Sequence, residues 1–388
     1  MFLSNAALRV EGQPMFKLLS RVKSMEAQGK KIIHFEIGDP DFDTPTHISK
    51  ACCDAIYAGK THYTDSMGVL DFRKIISEYV KNARGFTPDI SQVLVAPSAN
   101  SSIYNSVQCI ANPGDEVIIS DPCFPTYTSV LNLLGVCGVR VKLKEENEFS
   151  MSVDDIEKSI TDKTKMIIIN SPNNPTGSII PRKVQEDIFK LAEKYNLYLY
   201  SDEVYDQLLY TEDNFYSPSI MDFCNERTII ANGFSKTYAM TGWRLGYVIG
   251  PRHLIEKMGL VVQTISSCVS PFIQEGGIAA LTGDQKPVMD MREIYRKRRD
   301  LLVNGLNEIS GISCLYPKGA FYVFPNITKT GMTSKAFADY ILEKANVSLL
   351  PGTDFGASGE GYIRLCYATS ENNIVEGLKR IKKAIKAL

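Results

Sequence analysis

The chain has 388 residues, of which 44% are apolar and 22% charged, so it can bury a large core and is long enough for two lobes. Its formal net charge is −1 at pH 7 and no block of lysine or arginine stands out, which argues against nucleic acid or an anionic membrane as a partner. No apolar run reaches the roughly 18 residues that a bilayer-spanning helix needs.

The N-terminus and the cysteines bear on where the protein works. The opening residues, MFLSNAALRVEG, lack the basic region and apolar core of a signal peptide. The nine cysteines are scattered, without zinc-ligand or C-x-x-C spacing, and are typical of reduced thiols, so no metal site is predicted. We therefore expect a cytoplasmic protein. No histidine stands in a motif with a serine or cysteine nucleophile, which disfavours a triad hydrolase.

Short β-branched runs alternate with helical stretches along most of the chain. Residues 1–45, punctuated by proline, glycine and aspartate, hold one predicted helix near 15–28. The runs that follow are VLVA (93–96), EVIIS (116–120), GVRVKL (138–143), KMIIIN (165–170), LYLYS (197–201), RTIIAN (227–232) and LGYVIG (245–250). Because these strands are apolar throughout, the alternation predicts an α/β fold with a mainly parallel sheet sandwiched by helices.

The C-terminal part has a different pattern. Residues 281–310 are rich in Arg and Lys with apolar positions at helical spacing, which predicts one long helix leading out of the sheet domain. The elements predicted after it are a strand at 321–324, a helix near 333–345, strands at VSLL and 362–368, and a closing helix, which together form a smaller α+β domain. The predicted limits are 46–285 for the large domain, and 1–45 with 286–388 for the small one.

Polar residues follow three of the predicted strands, at the ends where ligands of parallel sheets bind. Asp202 ends LYLYSD, Tyr205 lies in the next turn, and Asn174 lies in the turn NNPTG. The first strand is followed by Ser98, Ala99 and Asn100. Free N–H groups at this helix start would face an anion. Each feature alone has an ordinary structural explanation as a cap, a turn or a helix start.

Residues 232–247 read NGFSKTYAMTGWRLGY and place Lys236 and Arg244 among apolar and aromatic side chains, where an unpaired cation is costly to bury. Taken alone, Lys236 would mark the start of an exposed helix. Together with the strand ends, the stretch supplies an amine, a guanidinium, a carboxylate and an anion site. That combination suits a phosphorylated aldehyde cofactor, whereas the glycine patterns of nicotinamide dehydrogenases and P-loop kinases are absent.

The chain resembles the class I aminotransferases, fold-type I enzymes that use pyridoxal 5′-phosphate (PLP). The stretch Gly233–Gly246 matches the lysine signature of that family at every position, and NPTG, SDEVY and GYIRLCYAT follow its other landmarks. The resemblance covers essentially the whole chain, from ALRVEGQPMFKL and FEIGDPDFDTP to the closing helix. It implies a homodimer with active sites at the subunit interface.

The resemblance also implies a role for each candidate residue. Lys236 would bind PLP covalently and then carry a proton, and Asp202 would keep the ring nitrogen protonated. Tyr205 and Asn174 would bind the ring oxygen, and Arg364 would bind the substrate α-carboxylate. The remaining contacts would come from Gly38 and Asn174 for the substrate, and from Ser98, Ala99, Asn100, Phe124, Ser235, Arg244 and the partner subunit's Tyr63 for the cofactor.

Three departures from the family pattern bear on the phosphate site and the substrate. Gly233 stands where many relatives have a phosphate-binding serine, and Asn100 where relatives that act on aspartate often have a lysine. The segment 13–16, which would lie near the substrate side chain, is apolar at Met15 and Phe16. We expect ping-pong transfer from an L-amino acid, neutral or aromatic favoured and aspartate possible, to a 2-oxo acid such as 2-oxoglutarate or pyruvate. A PLP-dependent β-elimination lyase and a non-catalytic PLP-binding regulator remain as alternatives.

Overall fold

The computed structural model describes residues 2–10, 12–212 and 214–388. The helices are α1 (Asn5–Leu8), α2 (Pro14–Ala27), α3 (Thr46–Tyr57), α4 (Leu70–Arg84), α5 (Ala99–Ile110), α6 (Pro125–Leu134), α7 (Val153–Lys158), α8 (Arg182–Lys194), α9 (Phe234–Thr237), α10 (Arg252–Ser266), α11 (Pro271–Thr282), α12 (Lys286–Asn307), α13 (Ser334–Ala345) and α14 (Glu371–Ile385). The strands are β1 (Ile33–His34), β2 (Val93–Ala96), β3 (Glu116–Asp121), β4 (Cys137–Lys142), β5 (Thr164–Asn170), β6 (Tyr198–Asp202), β7 (Thr228–Gly233), β8 (Gly246–Ile249), β9 (Tyr322–Val323), β10 (Val347–Ser348), β11 (Leu350–Pro351) and β12 (Ile363–Cys366).

A seven-stranded sheet in the order β2-β8-β7-β6-β5-β3-β4 forms the centre of the molecule. Its strands pair in parallel except for β8, which runs antiparallel to both β2 and β7. Each of the seven predicted apolar runs forms one of these strands. The predicted α/β fold class is confirmed. The parallel strands end at one edge, so the loops after β2, β5, β6 and β7 meet there.

Both faces of the central sheet are covered by helices, which explains why its strands are apolar throughout. Leu94 of β2 packs into an apolar cluster with α5, α6 and α10, whereas its neighbours Val93 and Val95 pack into another with α3, α4 and α11. Successive side chains of a strand point to opposite faces, so a strand covered on both sides buries every residue. A third cluster, built on Ile118 and Ile167, packs against α8.

The C-terminal part forms a smaller α+β unit around α12, α13 and α14. It holds an antiparallel sheet, β11-β12-β9, and a parallel pair of β1 with β10. The β1–β10 pair joins the N-terminal segment to this unit, and Val22 of α2 packs against Leu342 of α13. Helices α3 and α12 begin at the predicted domain limits of 46 and 286.

The prediction of one helix over residues 281–310 is wrong at its N-terminal end. Helix α11 ends at Thr282, and α12 begins at Lys286 with Pro287 in its first turn. Proline lacks the N–H that would continue a preceding helix, so it favours a new start. Gly283 lies in the gap, where an added Cβ would approach the Ala279 carbonyl oxygen to 2.6 Å. The helix that leads into the smaller unit is therefore α12 alone.

His34 of β1 links two acidic residues of the N-terminal segment. Its Nδ1 lies 2.7 Å from Glu36 Oε1, and its Nε2 lies 3.0 Å from Glu26 Oε1. The hydrogen bond to Glu36, opposed by burial, raises the pKa of His34 to about 9 from an ordinary 6.5. This contribution to stability is complete below the unfolded-state pKa and is lost as the pH rises through the folded-state pKa.

We therefore expect the free energy of unfolding to fall more steeply between pH 6.5 and about 9 in the wild type than in His34→Gln. Urea titrations at several pH values would measure the two slopes, and groups common to both proteins cancel in the difference. Parallel slopes for the wild type and the variant would contradict the assigned pKa.

Among the described residues, no helix combines the length and the apolar character needed to cross a membrane.

Candidate active site

A cavity of about 250 Å³ opens at the edge of the sheet where β2, β5, β6 and β7 end. Its walls contain every site residue predicted from the sequence except Tyr63, namely Gly38, Ser98, Ala99, Asn100, Phe124, Asn174, Asp202, Tyr205, Ser235, Lys236, Arg244 and Arg364. The walls also include the N-terminal residues Gln13, Met15 and Phe16. Segments far apart in the chain thus converge on one chamber between the central sheet and the smaller unit.

Lys236 lies in the short helix α9, directly after β7, and its amine faces the cavity. Its Nζ donates to the Gly38 carbonyl oxygen at 2.6 Å and lies 5.6 Å from the ring centroid of Phe321. Burial lowers the pKa of Lys236 to about 8. The positive charges of Arg364 and Arg244 also lower it, whereas the negative charge of Asp39 raises it. A large share of the amine is therefore neutral in mildly alkaline solution, and a neutral amine can act as a nucleophile or accept a proton.

Asp202 is the last residue of β6 and is buried. Tyr127 Oη donates to its Oδ2 at 2.6 Å, and the Val204 N–H donates to its Oδ1 at 3.4 Å. Burial raises the pKa of Asp202 to about 6, although the Tyr127 hydrogen bond opposes the shift. None of the ion pairs among the described residues involves Asp202, so a cationic partner that entered the cavity would stabilise its charged form.

The start of α5 presents backbone N–H groups to the cavity. Ser98 caps the helix by accepting from the Ser101 N–H at 3.3 Å, while the N–H groups of Ala99 and Asn100 donate to nothing within the described chain. Gly246 lies so close that an added Cβ would be 3.0 Å from the Ala99 nitrogen. Unpaired N–H groups at a helix start bind anions, so this corner suits a phosphate.

Ser235 and Arg244 line the cavity together with the start of α5. Arg244 has a left-handed backbone with φ 53°, and its Nη1 donates to the Thr241 carbonyl oxygen at 2.7 Å. Gly233, where the phosphate-binding serine of many relatives is missing, is extended at φ −166°, so its conformation does not require glycine. An added Cβ there would lie 3.3 Å from the Leu245 carbonyl oxygen, which leaves little spare room.

Arg364 of β12 is buried with one donor unused. Its Nη2 donates to the Glu36 carbonyl oxygen and its Nη1 to Asn174 Oδ1 at 3.3 Å, but its Nε has no acceptor among the described residues. The guanidinium stacks on the Tyr322 ring, 4.5 Å from its centroid. A buried donor without a partner is unfavourable, so a carboxylate that reached this group would be bound well.

Gly38 closes the cavity beside Arg364. A Cβ built on it would lie 2.1 Å from Tyr322 Oη, so only glycine fits there without moving the tyrosine. Tyr322 Oη in turn lies 2.9 Å from Tyr205 Oη. The absence of a side chain at Gly38 therefore leaves room for the Tyr322 hydroxyl and for its contact with Tyr205.

Three residues that the sequence did not single out complete the site. They are Tyr127, Tyr322 and Asn170, whose Nδ2 donates to the Asp202 carbonyl oxygen at 3.1 Å and whose Oδ1 accepts from the Asn174 N–H at 2.9 Å. Asn170 had a signal, because it ends the apolar run KMIIIN. Tyr127 and Tyr322 had none, because an aromatic residue in a helix or a strand usually belongs to the core.

Tyr63 lies outside the cavity, and its side chain is 87% exposed. The contact expected of it comes from a second subunit, so its role stays a prediction.

Comparison with known proteins identifies the family. The profile described as "Aminotransferase class I and II" matches residues 30–381. The chain belongs to this aminotransferase family. It is 39% identical over 387 residues to an aspartate aminotransferase of Pyrococcus horikoshii, covering 99% of this chain and 97% of the relative. It is also 39% identical over 389 residues to aromatic-amino-acid aminotransferase 2 of Thermococcus litoralis, covering 100% and 99%.

A solved structure confirms the fold of the aminotransferase. The aspartate aminotransferase of Rhizobium meliloti superposes with a TM-score of 0.96 at 32% identity, covering 100% of this chain and 99% of that one. The resemblance drawn from the sequence is thereby confirmed, and with it an enzyme that transfers an amino group from an amino acid to a 2-oxo acid. A non-catalytic regulator is not supported.

The cofactor of the aminotransferase is PLP, and the described residues fit it. Among the described residues, Asp202 has no cationic partner and the N–H groups at the start of α5 have no acceptor. Lys236 lines the same cavity with a lowered pKa. When bound, PLP supplies the electron-withdrawing ring that stabilises negative charge at the substrate Cα.

Proposed function

We propose that this aminotransferase prefers L-amino acids with neutral or aromatic side chains and passes the amino group to a 2-oxo acid such as 2-oxoglutarate or pyruvate. The observation that carries the proposal is the charge of the cavity wall. Apart from Lys236, Arg244 and Arg364, no lysine or arginine lines the described cavity. Since each of these is proposed to act at the cofactor or the α-carboxylate, the cavity of one subunit offers no further cation for the distal carboxylate of an aspartate.

The wall that would meet the substrate side chain is apolar. Met15 and Phe16 line it, and Gln13 Nε2 donates to Thr126 Oγ1 at 2.9 Å, which ties the N-terminal segment to the start of α6. A smaller recess beside Arg364 contains Leu350 and the carboxylate of Asp354. Burial raises the pKa of Asp354 to about 6, so it is mostly charged at neutral pH and would repel a second substrate carboxylate.

The residue roles belong to the same proposal. Lys236 holds the cofactor and moves a proton at the substrate Cα, since its amine is neutral part of the time. Asp202 would keep the ring nitrogen protonated, and Tyr205 and Asn174 would bind the ring oxygen. The remaining cavity residues would bind the phosphate (Ser98, Ala99, Asn100, Ser235 and Arg244), the ring (Phe124) and the substrate (Gly38, Asn174 and Arg364).

We also infer a homodimer in which the partner subunit's Tyr63 reaches the phosphate. Support comes from large apolar residues close to Tyr63 in the sequence that a single subunit leaves exposed, including Tyr57 at 89% and Leu70 at 52%. The domain limits of 46–285, and 1–45 with 286–388, remain part of the proposal. A cytoplasmic location is supported by the cysteines, all nine of which are free thiols.

A half-reaction screen of the twenty amino acids tests the substrate preference. Each amino acid is mixed with the PLP form of the enzyme, and the change in cofactor absorbance gives kcat/KM. We expect phenylalanine or another neutral donor to exceed aspartate by at least about tenfold, which corresponds to one missing charged contact of about 1.4 kcal/mol. Release of pyruvate and ammonia from cysteine without a 2-oxo acid would instead indicate β-elimination.

Asn100→Lys supplies the missing cation at the cavity wall. We expect it to raise kcat/KM for aspartate by about 10- to 150-fold and to leave that for phenylalanine little changed, since a charge-assisted contact contributes about 1.5–3 kcal/mol. Asn100→Gln is the matched control, because it adds length without charge. A wild type that prefers aspartate to every neutral donor would refute the proposal.

A further inference from the structure

A buried arginine of α4 holds the turn that follows β6. Arg84 is the last residue of α4; its Nε donates to Glu203 Oε2 at 2.7 Å, and its Nη2 donates to Asp206 Oδ2 at 2.9 Å. The side chains of Arg84, Glu203 and Asp206 are 1%, 0% and 2% exposed. We call these three side chains the Arg84 clamp. The clamp lies in the interior, where its charges are poorly screened by solvent.

The two carboxylates of the clamp alternate in sequence with the residues proposed to bind the cofactor. Glu203 follows Asp202, and Asp206 follows Tyr205. Glu203 Oε1 also accepts from Ser201 Oγ at 2.9 Å and Ser217 Oγ at 2.5 Å, so both of its oxygens are bonded. A shift of Glu203 or Asp206 would therefore move the turn that contains Asp202 and Tyr205.

The clamp extends to the strand that leads to Lys236. Asp206 Oδ2 accepts a second hydrogen bond, at 2.8 Å, from Asn232 Nδ2 of β7. Asn232 Oδ1 accepts from the Gly233 N–H at 2.7 Å. Helix α4 adds another contact, because Gln207 Nε2 donates to Tyr79 Oη at 2.9 Å. Arg84 thus lies at the junction of α4 with the ends of β6 and β7.

Arg84 is the cation that allows two carboxylates to be buried at this junction. No other lysine or arginine forms an ion pair with Glu203 or Asp206 among the described residues. Without Arg84, two buried carboxylates of like charge would face each other. Two outcomes are then possible: one carboxylate takes up a proton, or the turn moves so that the carboxylates separate. Both outcomes change the surroundings of Asp202 and Tyr205.

We propose that Arg84 is a positioning residue for the cofactor site, which sets the places of Asp202 and Tyr205 by clamping Glu203 and Asp206. The inference rests on the proposed roles of Asp202 and Tyr205. By keeping the ring nitrogen protonated, Asp202 would hold positive charge on the cofactor ring, and Tyr205 would stabilise the ionised ring oxygen by a hydrogen bond. Both effects would make the cofactor-bound nitrogen of Lys236 a weaker base. A displaced turn weakens both effects, so that nitrogen keeps its proton to higher pH.

The test compares the holoenzymes of the wild type, Arg84→Met, Arg84→Lys and Arg84→Met/Glu203→Gln. Arg227→Met is the matched control, since Arg227 precedes β7 at the opposite end of the strand and donates to the Ala192 carbonyl oxygen. Three quantities are measured: the pH midpoint of the visible absorption of the bound cofactor, the dissociation constant of PLP by equilibrium dialysis, and the melting temperature.

For Arg84→Met we expect the midpoint to rise by about one pH unit, a typical environmental shift, and the PLP dissociation constant to rise about tenfold. Arg84→Lys keeps the positive charge but cannot make the planar guanidinium's separate hydrogen bonds to Glu203 and Asp206, so both quantities should change less, in the same direction. The double variant removes one carboxylate and should recover part of the lost affinity. Arg227→Met should lower only the melting temperature.

An unchanged midpoint and PLP affinity in Arg84→Met, with only a lower melting temperature, would reduce Arg84 to a structural role and overturn the proposal. If Arg84→Met does not fold, Arg84→Lys and the double variant decide by the same two measurements. Asp202→Asn distinguishes failure of the Arg84 proposal from failure of the proposed role of Asp202. If Asp202→Asn shifts the pH midpoint and the Arg84 variants do not, only the positioning role of Arg84 is refuted. If Asp202→Asn leaves the pH midpoint unchanged, the proposed role of Asp202 is refuted.

Discussion

Replacing Lys236 by alanine is expected to lower kcat by more than about 10⁴-fold while leaving a folded protein that still binds PLP. General acid–base catalysis alone contributes roughly 10²–10⁴-fold, and this variant also loses the covalent anchor. The fold should survive because the side chain lines a cavity and makes a single hydrogen bond within the described part of the chain, from Nζ to the Gly38 carbonyl oxygen at 2.6 Å. The other proposed anchors of PLP, at the start of α5 and at Asp202, are untouched.

Turnover is measured with a coupled assay for the 2-oxo acid product, and PLP content by absorbance after gel filtration. Lys257→Ala, an exposed lysine of α10, is the matched control and should retain wild-type activity. Lys236→Arg keeps a cation at the same place but not a readily neutral amine, so it should be as inactive as the alanine variant. Turnover of Lys236→Ala within tenfold of the wild type would refute the assignment.

Replacing Arg364 by alanine is expected to raise KM for both the amino acid and the 2-oxo acid by about 10²–10⁴-fold. Two charge-assisted hydrogen bonds to a carboxylate, at about 1.5–3 kcal/mol each, correspond to that range. The KM values of both substrates should rise because each substrate carries an α-carboxylate and the two half-reactions share one site. The structure supports this role, since the guanidinium is buried and its Nε has no acceptor within the described chain.

Arg364→Lys separates charge from geometry. It retains the cation but cannot form a two-pronged contact, so its KM values should lie between those of the wild type and Arg364→Ala. Because Arg364 also donates to the Glu36 carbonyl oxygen, melting temperatures and PLP content are needed to show that the site remains assembled. A KM change for only one of the two substrates would argue against a shared α-carboxylate site.

The strand ends are the part of the site that a sequence shows best. Asp202 and Asn170 each close a run of buried apolar residues, and the structure places both at the end of a parallel strand. Since parallel strands end at one edge, knowing that they are parallel is enough to bring such residues together. The helix start at Ala99 was visible for the same reason, because it follows β2 directly.

Other parts of the site depend on pairings that no local pattern records. Tyr127 reaches Asp202 across 75 positions of sequence, and Arg84 reaches Glu203 across 119. A tyrosine in a helix and an arginine at a helix end are common, and nothing nearby distinguishes these two from core or surface residues. The break between α11 and α12 was misjudged because helical periodicity continued through it, although Pro287 was a visible signal.

The amino-acid sequence by itself determined the class of fold and the position of Asp202 at a strand end, because strand alternation is a local property. It also determined the cofactor, through motifs that resemble those of the class I aminotransferases. The tertiary structure alone decided that Tyr322 contacts Tyr205, that the buried Nε of Arg364 has no acceptor among the described residues, and that Arg84 binds the turn after β6. Those relations join residues on different elements. They follow from how the smaller unit and α4 pack against the sheet, and packing is a property of the whole chain.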